Sequence, residues 1–328
     1  MRIRGLAAVT AAALMLAVTG CGGSATNTGG GTGGGGGSGE QPYIAIVSKG
    51  FQHQFWQAVK KGAEQEAQKE GVRISFDGPA TESDIEGQVT MLTNAIGKQP
   101  AAIGFAALDS RASAPLLQQA KSANIPVVAF DSGVDSDIPL TTAATDNKAA
   151  AGEAAKHMSE AIGGSGKVAL VVHDQTSRTG ADRRDGFVDW MTANAPGIQV
   201  LEPQYGAGDP AKSADITKSI LAANPDLKGI YAANEGSAIG VLKGIEESGR
   251  QGVTVIGFDS GKNQLDAIRS GAMLGAITQN PVGMGEQVVA SAVKAMKGEN
   301  LPKVIDTGFF WYDKSNVDAP DIAAVLYQ

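Results

Sequence analysis

The sequence predicts an α/β protein built as two similar, doubly wound parallel-sheet lobes joined by a multi-strand hinge. Three observations carry this expectation. Strand-like apolar runs alternate with helical stretches from Tyr43 onward. Two of those runs close on the same four residues, Phe-Asp-Ser-Gly, at 130–133 and again at 258–261. The segment 41–328 also has the length at which single cores split into two. Val, Ile and Ala runs without alternation need two covered faces, as strands of a parallel sheet have. Repeated βαβ units imply parallel sheets with right-handed crossovers.

In chain order, YIAIVS (43–48) reads as the first strand. The following helix, FWQAVKKGAEQEAQKEG, carries Phe55, Val59, Ala63 and Ala67 every fourth residue and stops at Gly71. VRISF is the second strand; Ile85, Val89, Leu92 and Ile96 stripe the next helix. AAIGFAA (101–107), the helix APLLQQAKSAN and the strand IPVVAF (125–130) complete the first half. KVALVV, GIYAAN and VTVIGF repeat the pattern, each followed by a helical stretch. AMLGAITQNP (272–281) is a short strand stopped by Asn280-Pro281, followed by a helix from about Met284 to Lys297 and then VIDTGFFWYD. This tail reads as a return crossing, so several segments join the lobes and the permitted motion is a hinge. The boundaries expected are 41–145 plus 280–306 for the first lobe and 146–279 plus 307–328 for the second.

The amino terminus gives an address. Arg2 and Arg4 precede an apolar run from Leu6 to Val18, too short for a comfortable membrane span, which ends in VTGC. This is an export signal over 1–20. VTGC resembles the lipobox of bacterial lipoproteins, which implies cleavage before Cys21, acylation of its thiol and a lipid anchor on the extracytoplasmic side of the cell membrane. Cys21 is the one cysteine of the chain, so no internal disulfide is possible. The Gly-, Ser- and Thr-rich stretch to residue 40 is a flexible tether with a reach of roughly 20–25 Å.

Composition excludes some classes. The net charge of −7 and the lack of a dense basic run after the signal argue against nucleic acid. An export signal stands where a repressor would carry its DNA-binding helices. A dehydrogenase on the same sheet would need a glycine-rich phosphate cradle after the first strand, and SKGFQHQFW has none; no nucleophile sits beside a base. No enzyme activity and no cofactor are expected. His53, His157 and His173 lack the paired spacing of metal ligands and read as structural or surface residues, His53 being the one close to the candidate site.

The repeated strand ends suggest where a ligand sits. In open α/β sheets ligands gather beyond the carboxyl ends of the strands, where Asp131 and Asp259 fall. Asp-Ser-Gly is also ordinary turn chemistry. A surface turn has no reason to recur at equivalent strand ends, whereas a cleft between lobes needs carboxylates on both walls.

YIAIVSKGFQHQFWQAVKKGAEQEA, AALDS, IPVVAFDSG, TAATDN, RRDGF, YAANEGSAIG, VIGFDSG and ITQNP occur in the order and spacing of a known family. Over 43–310 the chain resembles the type I periplasmic sugar-binding proteins, the ribose-binding-protein-like solute receptors of ABC importers. The resemblance implies a monomeric receptor with three crossover segments that closes on a monosaccharide or polyol and presents it to a membrane permease. It implies that Phe55 and Trp56 stack on the sugar, that Asp131 binds it from the first lobe, and that Asn234, Phe258, Asp259 and Gln279 form the second wall and hinge. Arg183 falls near the family's cationic donor, with Arg178 as a competing candidate. Lys49, Phe51 and His53 replace the usual residues ahead of the aromatic pair, and Ser132 replaces an expected arginine. Alanine stands where an asparagine is usual within FAALDS, with Asp109 close by. These departures suit a sugar other than ribose, or an acyclic tetritol or pentitol. A receptor reporting to a sensory or quorum-signal system, and a nucleoside binder, stay open as alternatives.

The physical requirement is independent of the family. A hydroxyl-rich solute loses its hydration, so the cleft must supply nearly one partner per donor and acceptor. Asp accepts, Asn and Gln donate and accept, and Arg offers a planar fork. Hydrogen bonds to charged groups contribute about 1.5–3 kcal/mol each, so four or five, less association costs, give a dissociation constant near micromolar.

Overall fold

The structure, a computed structural model, describes residues 41–327. The first lobe holds β1 (Tyr43–Val47), α1 (Gln54–Glu70), β2 (Arg73–Asp77), α2 (Ile85–Gly97), β3 (Ala102–Phe105), α3 (Ala114–Ser122), β4 (Val127–Phe130) and β5 (Thr142–Ala144). The second holds α4 (Asn147–Ala161), β6 (Gly166–Val172), α5 (Arg178–Asn194), β7 (Ile198–Val200), β8 (Gln204–Tyr205), α6 (Pro210–Ala223), β9 (Leu227–Ala232), α7 (Glu235–Ser248), β10 (Thr254–Phe258), α8 (Lys262–Ser270) and β11 (Gly275–Gln279). The chain then runs through α9 (Pro281–Met296), β12 (Val304–Asp306), β13 (Phe309–Asp313) and α10 (Pro320–Ala323).

Each lobe is a sheet between helices. The first sheet has the order β12-β5-β4-β3-β1-β2 and every pairing in it is parallel. The second has the order β13-β11-β10-β9-β6-β7, with β8 also on β6 and only β13 antiparallel. The central strands are buried on both faces, which is what their unbroken apolar sequences require: Ile44 to Val47 and Val127 to Phe130 are at most 1% exposed.

The lobes are bridged three times, between β5 and α4, between β11 and α9, and between β12 and β13. Two bridges lie side by side: the Thr307 N–H donates to the Ala144 carbonyl at 3.1 Å and the Thr145 hydroxyl to the Gly308 carbonyl at 3.3 Å. The third begins at Asn280, whose side chain accepts from the Gly283 N–H at 3.0 Å. Asn280-Pro281 therefore opens α9 as well as ending β11, three residues before the start expected from the apolar stripe. An Asn cap with Pro at the first position is a strong helix start.

α9 returns the chain to the first lobe by lying against α1 at backbone contact. A Cβ at Gly62 would stand 2.0 Å from the Val282 carbonyl oxygen, and one at Gly285 would stand 2.0 Å from that of Val59. Gly285→Val is expected to destabilise the protein by about 3 kcal/mol, since neither backbone can yield without unpacking Val288, Val289 and Ala292 from the core. Chemical denaturation with an unchanged midpoint would contradict this close approach.

Candidate functional site

β4 and β10 end in the same unusual way. Each Asp after the strand keeps its amide in the sheet, Asp131 to the Ala143 carbonyl at 2.9 Å and Asp259 to the Ile277 carbonyl at 2.7 Å. Both then turn left-handed, with φ of 53° and 80°. A non-glycine residue there costs energy and is tolerated best by Asp and Asn. The turn lifts each carboxylate off its sheet and into the cleft. Both are almost wholly buried, at 5% and 4% exposed.

They share a tight cavity of about 20 Å³, lined by Lys49, His53, Phe55, Trp56, Glu82 and Asp131 from the first lobe and by His173, Thr179, Arg183, Asn234, Asp259 and Gln279 from the second side and hinge. The larger hollow beside α6, lined by Leu201, Lys212 and Ile216, is an open groove without buried charges.

The second wall is a fixed network. Asp259 accepts from Gln279 Nε2 at 2.7 Å and from the Glu235 backbone N–H at 2.9 Å. Arg183 donates to Asn147 Oδ1 at 2.8 Å and to the Ala233 carbonyl at 2.9 Å, and stands 3.9 Å from Asp259. Its guanidinium lies 3.7 Å from the centroid of the Phe258 ring. Phe258 is fully buried beneath Arg183 and does not line the cavity, which corrects its expected place on the ligand wall.

On the first wall the groups are charged and less committed. The Asp131 carboxylate accepts no hydrogen bond from the described residues, and burial, opposed by Lys49 and Arg183, raises its pKa to about 6. Lys49 donates across the cleft to Thr179 Oγ1 at 3.1 Å and stands 3.8 Å from Glu82. Glu82 also accepts from the Trp56 indole N–H at 2.6 Å and lies 3.7 Å from His53. Burial works against its charge, yet Lys49, His53 and that indole hold its pKa below the ordinary carboxylate range. The Trp56 N–H is thus spent within the protein. The ring stands edge-on to Phe55 at 4.9 Å and to Phe130 at 6.3 Å.

Four further expected residues lie outside the cavity. Phe51 is half-buried, packed edge-on against Phe76 at 5.8 Å. Asp109 shapes its own loop by accepting from the Arg111 and Ala112 amides at 2.8 and 2.9 Å. Ser132 is fully buried behind the strand end and its hydroxyl has no partner. Arg178 is an exposed side chain at the rim, 4.0 Å from Asp135, so of the two candidate cations it is Arg183 that reaches the cavity. His157 stacks on Trp311 at 3.7 Å on the second lobe, away from the cleft.

Sequence reasoning missed Glu82, Thr179 and the role of His173. His173 is 2% exposed, and burial drives its pKa down to about 3, so the imidazole is neutral. Nε2 contacts Thr179 Oγ1 at 3.2 Å while Nδ1 has no partner. Gln279 Oε1 is also buried and unpartnered. Buried polar atoms are rarely left so, and here the open positions are mostly acceptors, which matches a guest rich in hydroxyl donors. Among the described residues no cluster of three or more His, Cys, Asp or Glu side chains is arranged for a metal ion.

Comparisons with known proteins bear on the fold and the family. The chain is 28% identical over 268 residues to the D-allose-binding periplasmic protein of Escherichia coli, covering 79% of this chain and 86% of that protein. An ABC transporter solute-binding protein of Agrobacterium vitis solved with D-fucose is 37% identical, with a TM-score of 0.84 over 87% of this chain and all of that one. Another from the same organism, bound to α-D-tagatopyranose, is 33% identical, with a TM-score of 0.85 over 88% of this chain and all of that one. The family model described as a periplasmic binding protein domain matches residues 44–300, and the chain belongs to that family.

Proposed function

We propose that this protein captures a monosaccharide or sugar alcohol between its lobes by hinge closure and hands it to an ABC permease on the extracytoplasmic side. The observation that carries the reading is the pair of buried carboxylates, Asp131 and Asp259, brought to one small cavity from opposite lobes. The unpartnered Gln279 Oε1 adds a third acceptor. A guest touching both walls binds only the shut form and shifts the population toward it. The cavity offers a neutral imidazole, two buried cations and three carboxylates, a set suited to hydrogen-bonding a hydroxyl-rich solute.

A thermal-shift panel of pentoses, hexoses, polyols and nucleosides tests this. A solute at a hundred times its dissociation constant stabilises the native state by about 2.7 kcal/mol, so D-fucose, D-allose or a related sugar or polyol is expected to raise the melting temperature. A rise with nucleosides alone would overturn the assignment.

Membrane attachment is part of the same proposal. The signal segment, Cys21 and the tether lie outside the described residues; no helix within them is long and apolar enough to cross a membrane. The anchor proposed is the Cys21 thiol. Cys21→Ser is expected to move the protein from the membrane to the soluble fraction, and continued sedimentation with membranes would contradict the lipid anchor.

A further inference from the structure

Most helices here close their own amino termini. Asp84, Asp146, Ser177, Asp209, Asn234 and Asn280 each accept a backbone N–H in the first turn of α2, α4, α5, α6, α7 and α9. α3 and α10 do not, and neither do α1 and α8, which meet at the cleft. The residue before α1 is His53, which makes no such bond, and the residue before α8 is Gly261, which has no side chain.

Each of these two ends is completed from the opposite lobe. Glu235, on the second lobe, accepts from the Gln54 and Phe55 amides of α1 at 3.3 and 3.4 Å through its two carboxylate oxygens. Gln54, on the first lobe, returns the favour to α8: its Oε1 accepts from the Lys262 amide at 2.8 Å. Exposed amides at a helix start carry partial positive charge, so a carboxylate suits α1 particularly well. Gly261 is small for a reason other than its φ. A Cβ there would stand 2.7 Å from Glu235 Oε1 and 3.1 Å from Gln54 Oε1. The last residue of the second Phe-Asp-Ser-Gly thus makes room for both bridging groups.

We propose that Glu235 and Gln54 form a reciprocal capping latch that holds the lobes shut without touching the solute. The proposal rests on hinge closure as the mode of capture. Opening the cleft uncaps both helices at once, so the latch adds the same increment to closure whatever the guest. Selectivity stays with the cavity groups, and residence time is set partly by the latch.

Hydrogen exchange on the full chain without ligand tests it. In wild type the Gln54, Phe55 and Lys262 amides are expected to be protected. Glu235→Ala should speed exchange about tenfold or more at Gln54 and Phe55, and also at Lys262, which Glu235 does not contact; Gln54→Ala should uncover the Glu235-bonded Phe55 amide reciprocally. Glu235→Gln, which keeps an acceptor, should fall between. Any sugar that binds, with D-allose, D-fucose and D-tagatose as probes, should weaken by one common factor in each variant. Exchange confined to the amides each residue itself caps, or sugars weakened by unequal factors, would overturn the latch. If Glu235→Ala fails to fold, Gly261→Ala reads the same coupling. Failure of every sugar to bind the wild type would instead overturn the solute assignment, while the exchange comparison would still decide the latch.

Discussion

Asp259→Ala is expected to lower ligand affinity by more than about 2 kcal/mol, roughly thirtyfold, and to lower the stability of the ligand-free protein by about 3 kcal/mol. The two losses have one cause. The carboxylate is the acceptor for Gln279 Nε2 and for the Glu235 amide, and the nearest anion on this wall to Arg183. Its removal strands two buried donors and takes from a buried guanidinium its anion at 3.9 Å, which costs more than the lost contact alone. Alanine at a φ of 80° adds backbone strain. Asp259→Asn restores one acceptor, so it should recover part of the stability but little of the affinity. Calorimetry and denaturation reading both quantities at wild-type values would remove Asp259 from the site and from the network alike.

What the sequence reveals here follows from which signals are local. The buried strands were legible because β1, β4, β6 and β10 are unbroken apolar runs, and the cleft was legible because Phe-Asp-Ser-Gly repeats at matching strand ends. β5 was not, because Thr142–Ala144 is three residues long and draws its register from β4 and β12 rather than from its own composition. Glu82 was hidden for a similar reason. It sits in TESDIE, where the neighbouring Asp84 does the capping and an acidic loop reads as solvated; only the tertiary fold turns Glu82 inward onto Lys49 and Trp56. His173 had a usable signal. VALVV runs straight into it as VVAF runs into Asp131, and the rule that strand ends face the ligand applies to any polar residue there. Trp56 shows the opposite limit: an aromatic pair at the right spacing fixes position but not which edge of the indole faces the guest.

Asp131 differs from Asp259 in that its carboxylate has no hydrogen-bond partner among the described residues, and its replacement should separate binding from stability. In the closed form burial raises its pKa from 3.8 to about 6, so near neutral pH a charge is held in a poor environment. The difference corresponds to about 3 kcal/mol at 1.36 kcal/mol per pH unit. Its sign follows from proton binding. The closed form holds the proton more tightly than any form with Asp131 in water, so empty closure is favoured most below about pH 4 and loses that advantage as pH rises through about 6. At pH 7.5 Asp131 therefore works against closure of an unoccupied cleft, and solute hydroxyls donating to the carboxylate lessen the penalty. Asp131→Asn cancels the charge at nearly constant shape, and asparagine tolerates the φ of 53° at least as well. The variant is expected to bind more than about 2 kcal/mol more weakly while its ligand-free closed state becomes more populated at pH 7.5. The excess over wild type should shrink toward pH 4, where Asp131 is protonated in the closed form and only partly ionised in the open one. Exchange protection at the Phe55 and Lys262 amides across pH 4 to 7.5, corrected for intrinsic exchange, reads this directly. Equal protection in variant and wild type at pH 7.5 would mean that Asp131 does not oppose closure, and the carboxylate would then serve the solute alone.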